Sequence, residues 1–304
     1  MKVLITGATG FLGRNLLKYI EQHDIDKKYD LYLLTSKPID NYKCINHSGY
    51  RFNKQNFFEQ GLDNIDVLIH CGSFTPKKGN ELNNIEGSVK NIENTNYLIN
   101  NLPSIPRKII YISSISVYDL NMSDKISENT LTIPDSLYGQ SKLFCENLLK
   151  EYSLENNVQY QIFRMGVIYG SGDRYCEGLI PHTIKRLINN ENPVIYNGGK
   201  EIKSFINVYD CCRVIYAAIN SNVNDEIVNV VSSDTISVRE LVDEIINISG
   251  RKIIPENITS NKNYKNTIYN PERMIKNFGK NIVDYKTGIK EEYEYFLGLL
   301  QGVN

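Results

Sequence analysis

Met1-Lys2-Val3-Leu4-Ile5 opens the chain, Thr6-Gly7-Ala8-Thr9-Gly10-Phe11-Leu12-Gly13 follows at once, and Arg14-Asn15-Leu16-Leu17-Lys18-Tyr19-Ile20 completes the stretch. The first run is apolar and β-branched, the second rich in glycine, and the third places apolar residues at helical spacing. A strand, a glycine turn and a helix start in that order make a cradle for the phosphates of a dinucleotide. Gly7 lets the chain turn tightly off the strand, Gly10 lets backbone amides approach a pyrophosphate, and Gly13 lets the helix pack closely on the sheet. Thr9, Phe11 and Leu12 complete the cradle, where the first helical turn offers unpaired N–H donors and the positive end of a dipole.

Working outward, 304 residues suffice for one large domain or two modest ones. A formal net charge of −1 implies neither a nucleic-acid-binding field nor a polybasic membrane surface. The N-terminus reads as a strand rather than a signal peptide, and no apolar run approaches the length of a membrane span. The six cysteines, Cys44, Cys71, Cys145, Cys176, Cys211 and Cys212, include no C-x-x-C and no zinc spacing. Reduced thiols in a soluble, cytoplasmic protein are the expectation.

Strand and helix patterns alternate through the first half, which argues an α/β fold with a doubly wound parallel sheet. Strands are expected at Leu31–Leu34, Asp66–His70, Lys108–Ser114 and Gln161–Arg164, with helices from about Glu81 to Asn101 and from Tyr138 to Tyr152. The second of these helices is entered through Pro134-Asp135-Ser136. Beyond Gly170-Ser171-Gly172-Asp173 the chain turns loop-rich, with a short helix expected over Pro181–Asn190. Phe205–Val208 reads as a strand returning to the sheet, Asp210–Ser221 as a helix, Glu226–Val231 as a last strand and Glu291–Leu300 as a closing helix. Residues 1–168, with 203–231 returning to them, would form the dinucleotide domain. Residues 169–202 and 232–304 would form a smaller, discontinuous substrate domain roofing the strand ends.

The chemistry gathers at Tyr138-Gly139-Gln140-Ser141-Lys142. On a helix, positions i and i+4 share a face about 5–6 Å apart, so the phenol and the ammonium share a site. A free phenol has a pKa near 10, and acid–base work at neutral pH needs a fall of ~3, about 4 kcal/mol. One cation at ~5 Å and an effective dielectric of ~20 supplies roughly 3 kcal/mol. A positively charged nicotinamide ring would supply much of the rest, whereas beside a reduced, neutral ring the phenol stays protonated and suits a proton donor. Ser113 and Ser114 end a buried strand, at the edge where ligands of such sheets bind. Ser114 can hydrogen-bond a carbonyl or carbinol oxygen and orient Tyr138, and Ser113 better fits a structural turn.

Taken together these motifs resemble the extended short-chain dehydrogenase/reductases of the nucleotide-sugar epimerase/dehydratase group, nearly end to end. Thr6–Gly13 matches TGxxGxxG, and Asp66–Ser73 resembles the D-x-V-x-H-x-A-A segment beside the cofactor. Ser113–Tyr118 resembles S-S-x-x-V-Y-G, Tyr138 and Lys142 match Tyr-x-x-x-Lys, and Arg164–Gly170 resembles R-x-x-x-V-Y-G. Asn192–Asp210 resembles the Pro-Val loop followed by R-D-F-I-x-V-x-D. The resemblance implies a Rossmann fold, an NAD(P) cofactor, catalysis by Ser114, Tyr138 and Lys142, cofactor contacts at Cys71 and Gly72, and a sugar-side contact at Ser73. It also implies a homodimer formed through the helices near residues 85–101 and 138–152.

Departures from the family narrow the reaction. Members that use NAD end the second strand with an acid on the adenosine ribose, whereas here Leu34 is followed by Thr35-Ser36-Lys37, which could bind a 2′-phosphate. That favours NADP over NAD. Dehydratases carry Asp-Glu just after the strand-end hydroxyl, and this chain has Ile115-Ser116. Asn53 stands where an Asp commonly meets adenine, Val167 stands where Asn is frequent, and Lys203 replaces an Arg as the cation for a diphosphate, without the bidentate fork. Tyr118, Tyr169 or Tyr175 could stack on a base or sugar, although a core or surface tyrosine is the simpler reading of each. The reading is an NADP-dependent reductase of a nucleoside-diphosphate 4-keto-6-deoxy sugar serving glycan precursor synthesis. Its alternatives are an NAD-dependent C4 epimerase and, from another class, a non-catalytic NADP-binding sensor or scaffold. Such sensors tend to lack the Tyr/Lys pair that this chain keeps.

Overall fold

The computed structural model describes residues 1–119, 125–173, 178–223, 226–261 and 266–300. Its centre is a seven-stranded parallel sheet of β1 (Lys2–Thr6), β2 (Asp30–Thr35), β3 (Lys43–Asn46), β4 (Val67–His70), β5 (Lys108–Ser114), β6 (Gln159–Met165) and β7 (Glu226–Val230). The order is β7-β6-β5-β4-β1-β2-β3. The chain therefore builds outward from β1 to β3 and then reverses to lay β4 on the other side of β1. This reversal is the switch point at which Rossmann sheets bind ligands, beyond the carboxyl ends of the strands. Thr6 and His70 are register partners there.

Both faces of the sheet are covered, which explains the unbroken apolar strands. Val3 and Ile5 of β1 and Ile110 of β5 join one core with helices α1 (Phe11–His23) and α6 (Val208–Ile219). Leu4, Ile109 and Tyr111, pointing the other way, join a second core with α3 (Ile85–Asn101) and α4 (Leu137–Asn156). A short α2 (Lys54–Phe58) adds Phe57 to the second core, and α8 (Glu272–Phe278) adds Met274 to the first. A third apolar cluster stands apart, built by α5 (Leu179–Ile188), α7 (Val238–Ser249) and α9 (Tyr285–Leu300) around Ile184, Leu241, Ile245 and Ile289. No helix of the described residues is long and apolar enough to cross a membrane.

One strand lies elsewhere than expected. Phe205–Asn207 does not return to the central sheet but pairs in parallel with Val167–Tyr169 in a separate two-stranded ladder. The open edge of β6 is taken instead by β7, in register from Gln161 opposite Glu226 to Met165 opposite Val230. Helix α9 also begins earlier than the apolar pattern suggested, at Tyr285, with the Asp284 side chain accepting from the Thr287 amide at 2.9 Å.

Candidate active site

The cradle forms where β1 and β4 end. Gly7 has φ +73°, and a Cβ on it would lie 2.6 Å from the Gly72 nitrogen and 2.7 Å from the Cys71 carbonyl carbon. The two strand ends thus meet backbone to backbone, an approach that no side chain permits. A Cβ on Gly13 would collide with the Gly7 carbonyl oxygen and come within 2.8 Å of Ala8 Cα, so α1 starts directly on the turn. Gly10 caps α1 without a side-chain acceptor, and the first turn holds no acid. The helix end therefore presents its amides and dipole to an incoming anion without internal competition. Thr9 and Gly10 are exposed, while Phe11 and Leu12 are half-buried against the core. Arg14 Nη2 donates to the Gly172 carbonyl at 3.1 Å and Asn15 Nδ2 to that of Ser171 at 3.2 Å, drawing the 171–172 loop to the cradle.

Behind the glycines runs a buried chain of hydrogen bonds with one direction. Thr95 Oγ1 donates to the Asn91 carbonyl (2.7 Å), so it must accept from His70 Nε2 (3.0 Å). His70 Nδ1 is then the acceptor, taking the Thr6 hydroxyl proton at 2.7 Å, and Thr6 Oγ1 accepts from the Gly72 amide at 2.9 Å. Burial pushes His70 down to about 3, so the ring stays neutral and the chain keeps its direction. Burial likewise pushes the Cys71 thiol up to about 12, leaving it an inert wall beside the half-buried Gly72.

Ser114, Tyr138 and Lys142 come together because α4 begins on the turn that follows β5. Ser136 caps α4 by accepting from the Gly139 amide at 3.2 Å. A Cβ on Gly139 would collide with the Ser116 carbonyl, so that turn and the helix touch along the backbone. Ser114 Oγ accepts from the Ser116 amide and donates to Ser116 Oγ, both at 3.1 Å. Ser113 is structural, donating to Glu146 Oε1 at 2.5 Å. Tyr138 and Lys142 are buried. Lys142 Nζ donates to Ser73 Oγ (2.9 Å) and to the Ile112 carbonyl (2.7 Å), and lies 4.9 Å from the centroid of the Tyr111 ring.

These surroundings set the protonation states. Burial pulls Lys142 down to about 8. Burial also raises Tyr138 above the ordinary phenol, and hydrogen bonding from Ser114 and Thr75 pulls it part of the way back. The ammonium expected to lower the phenol is turned toward Ser73 and the Ile112 carbonyl. Without a cofactor, Tyr138 is therefore protonated at neutral pH, ready to give a proton rather than take one. Because the Lys142 pKa is lowered, its charged form is lost as pH rises through about 8. If that charge holds a cofactor hydroxyl, cofactor affinity should weaken between pH 7 and 9 with a midpoint near 8. Tyr111→Leu, which removes the ring face, should move the midpoint down by up to ~1 pH unit, and Tyr111→Phe should leave it in place. Fluorescence titrations across that pH range measure both.

The remaining expected residues take varied places. Thr35 is buried, and its hydroxyl closes a turn by donating to the Lys37 carbonyl at 2.8 Å. Ser36 and Lys37 are exposed at the carboxyl end of β2 with no carboxylate between Leu34 and Pro38. Asn53 caps α2, its Oδ1 accepting from the amides of Gln55 (2.9 Å) and Asn56 (3.3 Å), so any base contact falls to its Nδ2. Lys203 is half-buried on the Ile202–Lys203 strand, which pairs with Ile236–Ser237 rather than with the central sheet, and burial lowers its pKa. Tyr118 is fully buried and hydrogen-bonds Asn229 and Arg164 at 2.8 Å each, and Tyr169 packs in the third core, so neither stacks on a ligand. Tyr175 and Cys176 lie outside the described residues.

Two residues of the site were not among those expected, Thr75 and Asn91. Asn91 Oδ1 accepts from the Phe74 amide (2.6 Å), and its Nδ2 donates to the Phe74 carbonyl and to Ser141 Oγ (3.2 Å each). Ser141 in turn donates to the Tyr138 carbonyl at 2.8 Å. The signal was a run of polar residues, Ser88, Asn91 and Thr95, on the face of α3 that its apolar Leu98 marks as buried.

A Rossmann sheet with a glycine cradle at its switch point and a Ser–Tyr–Lys set beside it defines an extended short-chain dehydrogenase/reductase. The chain belongs to the NAD dependent epimerase/dehydratase family, whose model matches residues 3–231. It is 28% identical over 256 residues to a putative UDP-glucose 4-epimerase of Methanocaldococcus jannaschii, covering 80% of this chain and 81% of that one. It is also 28% identical over 274 residues to a dTDP-D-glucose 4,6-dehydratase of Dictyostelium discoideum, a match that takes in 82% of this chain but 62% of that longer protein. Among solved structures, the UDP-glucuronic acid 4-epimerase of Bacillus cereus in complex with NAD superposes with a TM-score of 0.83 over 98% of this chain and 99% of that one, at 23% identity. At that identity the likeness shows the fold.

Proposed function

We propose that this enzyme reduces, at C4, a 4-keto-6-deoxy sugar carried on a nucleoside diphosphate, with NADPH preferred, as a step in making glycan precursors. The observation that carries the proposal is the buried Tyr138 phenol on the helix face it shares with Lys142, with no carboxylic acid at Ile115 or Ser116. Elimination of water from a sugar needs an acid and a base, and those two positions offer neither. Gly7, Gly10 and Gly13 with the first amides of α1 fit a dinucleotide pyrophosphate, and the exposed Ser36 and Lys37 fit an adenosine 2′-phosphate. A nicotinamide dinucleotide, when bound, supplies the hydride. Tyr138 then gives its proton to the oxygen that becomes the alkoxide, Ser114 hydrogen-bonds that oxygen, and Lys142 holds the cofactor ribose. Ser73 and Lys203 are assigned to the sugar and the diphosphate, and residues 169–202 and 232–304 to the substrate-binding domain. Exposed Ile85 and Val89 on α3 and Phe144 and Leu154 on α4 support assembly as a homodimer through these helices.

The second reading, C4 epimerisation with retained NAD, is favoured by the 4-epimerases among the proteins this chain is similar to. Incubating the enzyme with a panel of 4-keto-6-deoxy nucleotide sugars and either NADPH or NADH, with NMR identification of products, separates the two. Stoichiometric NADPH oxidation giving a single C4 alcohol is expected, with NADPH preferred at least ~10-fold in kcat/KM, about 1.4 kcal/mol. Interconversion of C4 epimers of a UDP-sugar by protein that carries its own NAD would select the epimerase.

A further inference from the structure

Glu292 is fully buried on α9, one helical turn beyond Gly288. Its Oε2 accepts from the Gly170 amide at 3.1 Å, and its Oε1 has no hydrogen-bond partner among the described residues. Gly288 lets that face of α9 approach the Phe205–Asn207 strand, since a Cβ there would lie 2.6 Å from Asn207 Nδ2. A second tie comes from Ser171, whose Oγ donates to the Glu291 carbonyl at 3.2 Å. The same loop is gripped from its other side by the cradle helix, through Arg14 at the Gly172 carbonyl and Asn15 at that of Ser171. Residues 170–172 thus bridge α9 and α1, and the α9 end of the bridge rests on a buried carboxyl.

We infer that Glu292 is a proton-linked latch, which in its neutral form fastens the 170–172 loop between α9 and the cradle helix and which opens with loss of that proton to water. The latch is independent of the reaction proposed above. A carboxylate with one hydrogen bond and one unpaired oxygen is costly to bury, whereas an open loop would return it to water. The titratable groups that face it are Asp173 in the loop and the Tyr169 phenol on the Val167–Tyr169 strand. Asp210 of α6, also near Tyr169, is paired with Arg213 and accepts from the Ile282 and Val283 amides. Helices α5 and α7 bring apolar Ile180, Ile184, Leu241 and Ile245 to the cluster they share with α9. On α9 itself, Lys290 pairs with Glu294, and Glu291 lines a pocket with Lys18 of α1. Burial, with Asp173 second, pushes Glu292 up to about 8, and the Gly170 amide pulls it back in part. In an opened loop the carboxyl returns to its ordinary value of 4.5. Between those two values the closed form holds a proton that the open form has lost. Opening therefore becomes about tenfold easier per pH unit in that window and no easier above it.

Amide hydrogen exchange of the full chain, without cofactor or substrate, tests the latch. The readout is the protection factor of the Gly170 amide, corrected for the intrinsic pH dependence of exchange, from about pH 5.5 to 9. In wild type it should fall about tenfold per pH unit and level off near 8. Glu292→Gln keeps an oxygen for the Gly170 amide but carries no ionisable group, so its profile should be flat, whatever constant offset the carboxamide adds. Asp173→Asn, which removes the facing carboxyl, should move the levelling point down by up to ~1 pH unit. Parallel profiles in wild type and Glu292→Gln overturn the latch. So does a Gly170 amide whose protection equals that of Ile110 in β5 at every pH, since the opening would then be unfolding of the whole chain. Should Glu292→Gln fail to fold, the wild-type profile decides: a flat one overturns the latch, and a fall whose end moves with Asp173→Asn upholds it.

Discussion

Tyr138→Phe should cut turnover by about a thousandfold, within the range expected when a positioned general acid is lost, while cofactor affinity stays within a few-fold of wild type. The ring itself remains, so its edge-on contact with Phe74 and its place on the first turn of α4 are preserved. What disappears is one hydroxyl, and of the groups beside it Ser114 keeps its bonds to Ser116 while Thr75 is exposed to solvent. The cradle residues Gly7, Gly10 and Gly13 touch none of the deleted atoms. Single-turnover kinetics with a 4-keto nucleotide sugar measure the first effect, and fluorescence titration of cofactor the second. Full activity in the variant would remove Tyr138 from proton transfer and shift attention to the neighbouring hydroxyls of Ser114 and Thr75.

The fold was legible where burial on both sides leaves a mark in one dimension. Lys2–Thr6, Val67–His70 and Lys108–Ser114 read as strands because alternate residues enter different cores, so no polar position interrupts them. Lys43–Asn46 leaves little mark in the sequence because it is four residues long at the sheet edge, with only Cys44 and Ile45 turned inward. Helix α7 carries its signal wholly in the sequence, a capping box of Ser237 and Glu240 with apolar Val238, Leu241, Val242, Ile245 and Ile246 at helical spacing. Phe205–Asn207 was misplaced for a different reason. Its apolar character is the same whether it joins the central sheet or pairs with Val167–Tyr169, and only competition for the β6 edge decides. In the site, Tyr138 and Lys142 were visible because helical spacing puts them on one face. Thr75 and Asn91 were not, since their partners are distant in sequence and only the packing of α3 beneath the loop brings them together. The direction of the Lys142 ammonium was equally hidden, because the Ile112 carbonyl that attracts it carries no side-chain signature.

Arg164→Met should destabilise the protein by about 3–5 kcal/mol, the cost of leaving a buried charge without its partner. Arg164 and Glu146 are both fully enclosed, and the guanidinium grips the carboxylate with two bonds, Nε to Oε1 at 3.0 Å and Nη2 to Oε2 at 2.7 Å. Its third arm, Nη1, donates to the Tyr118 hydroxyl, which donates onward to Asn229. Removing the guanidinium leaves Glu146 held by the Ser113 hydroxyl and breaks the Arg164 link between β6 and α4. Urea unfolding followed by circular dichroism measures the loss, and a fall of under 1 kcal/mol would mean that water reaches Glu146. The pair also has a consequence for catalysis, because Glu146 follows Lys142 by one helical turn. Whatever holds Glu146 against β5 and β6 also holds Lys142 against the Ile112 carbonyl and Ser73. Replacing both partners, as Glu146→Leu with Arg164→Met, separates the two effects, since a well-packed apolar pair relieves the stranded charge. The double variant should recover most of the stability yet stay well below wild type in kcat. That outcome would place the value of the ion pair in the register of the catalytic helix, and recovery of both quantities together would place it in packing alone.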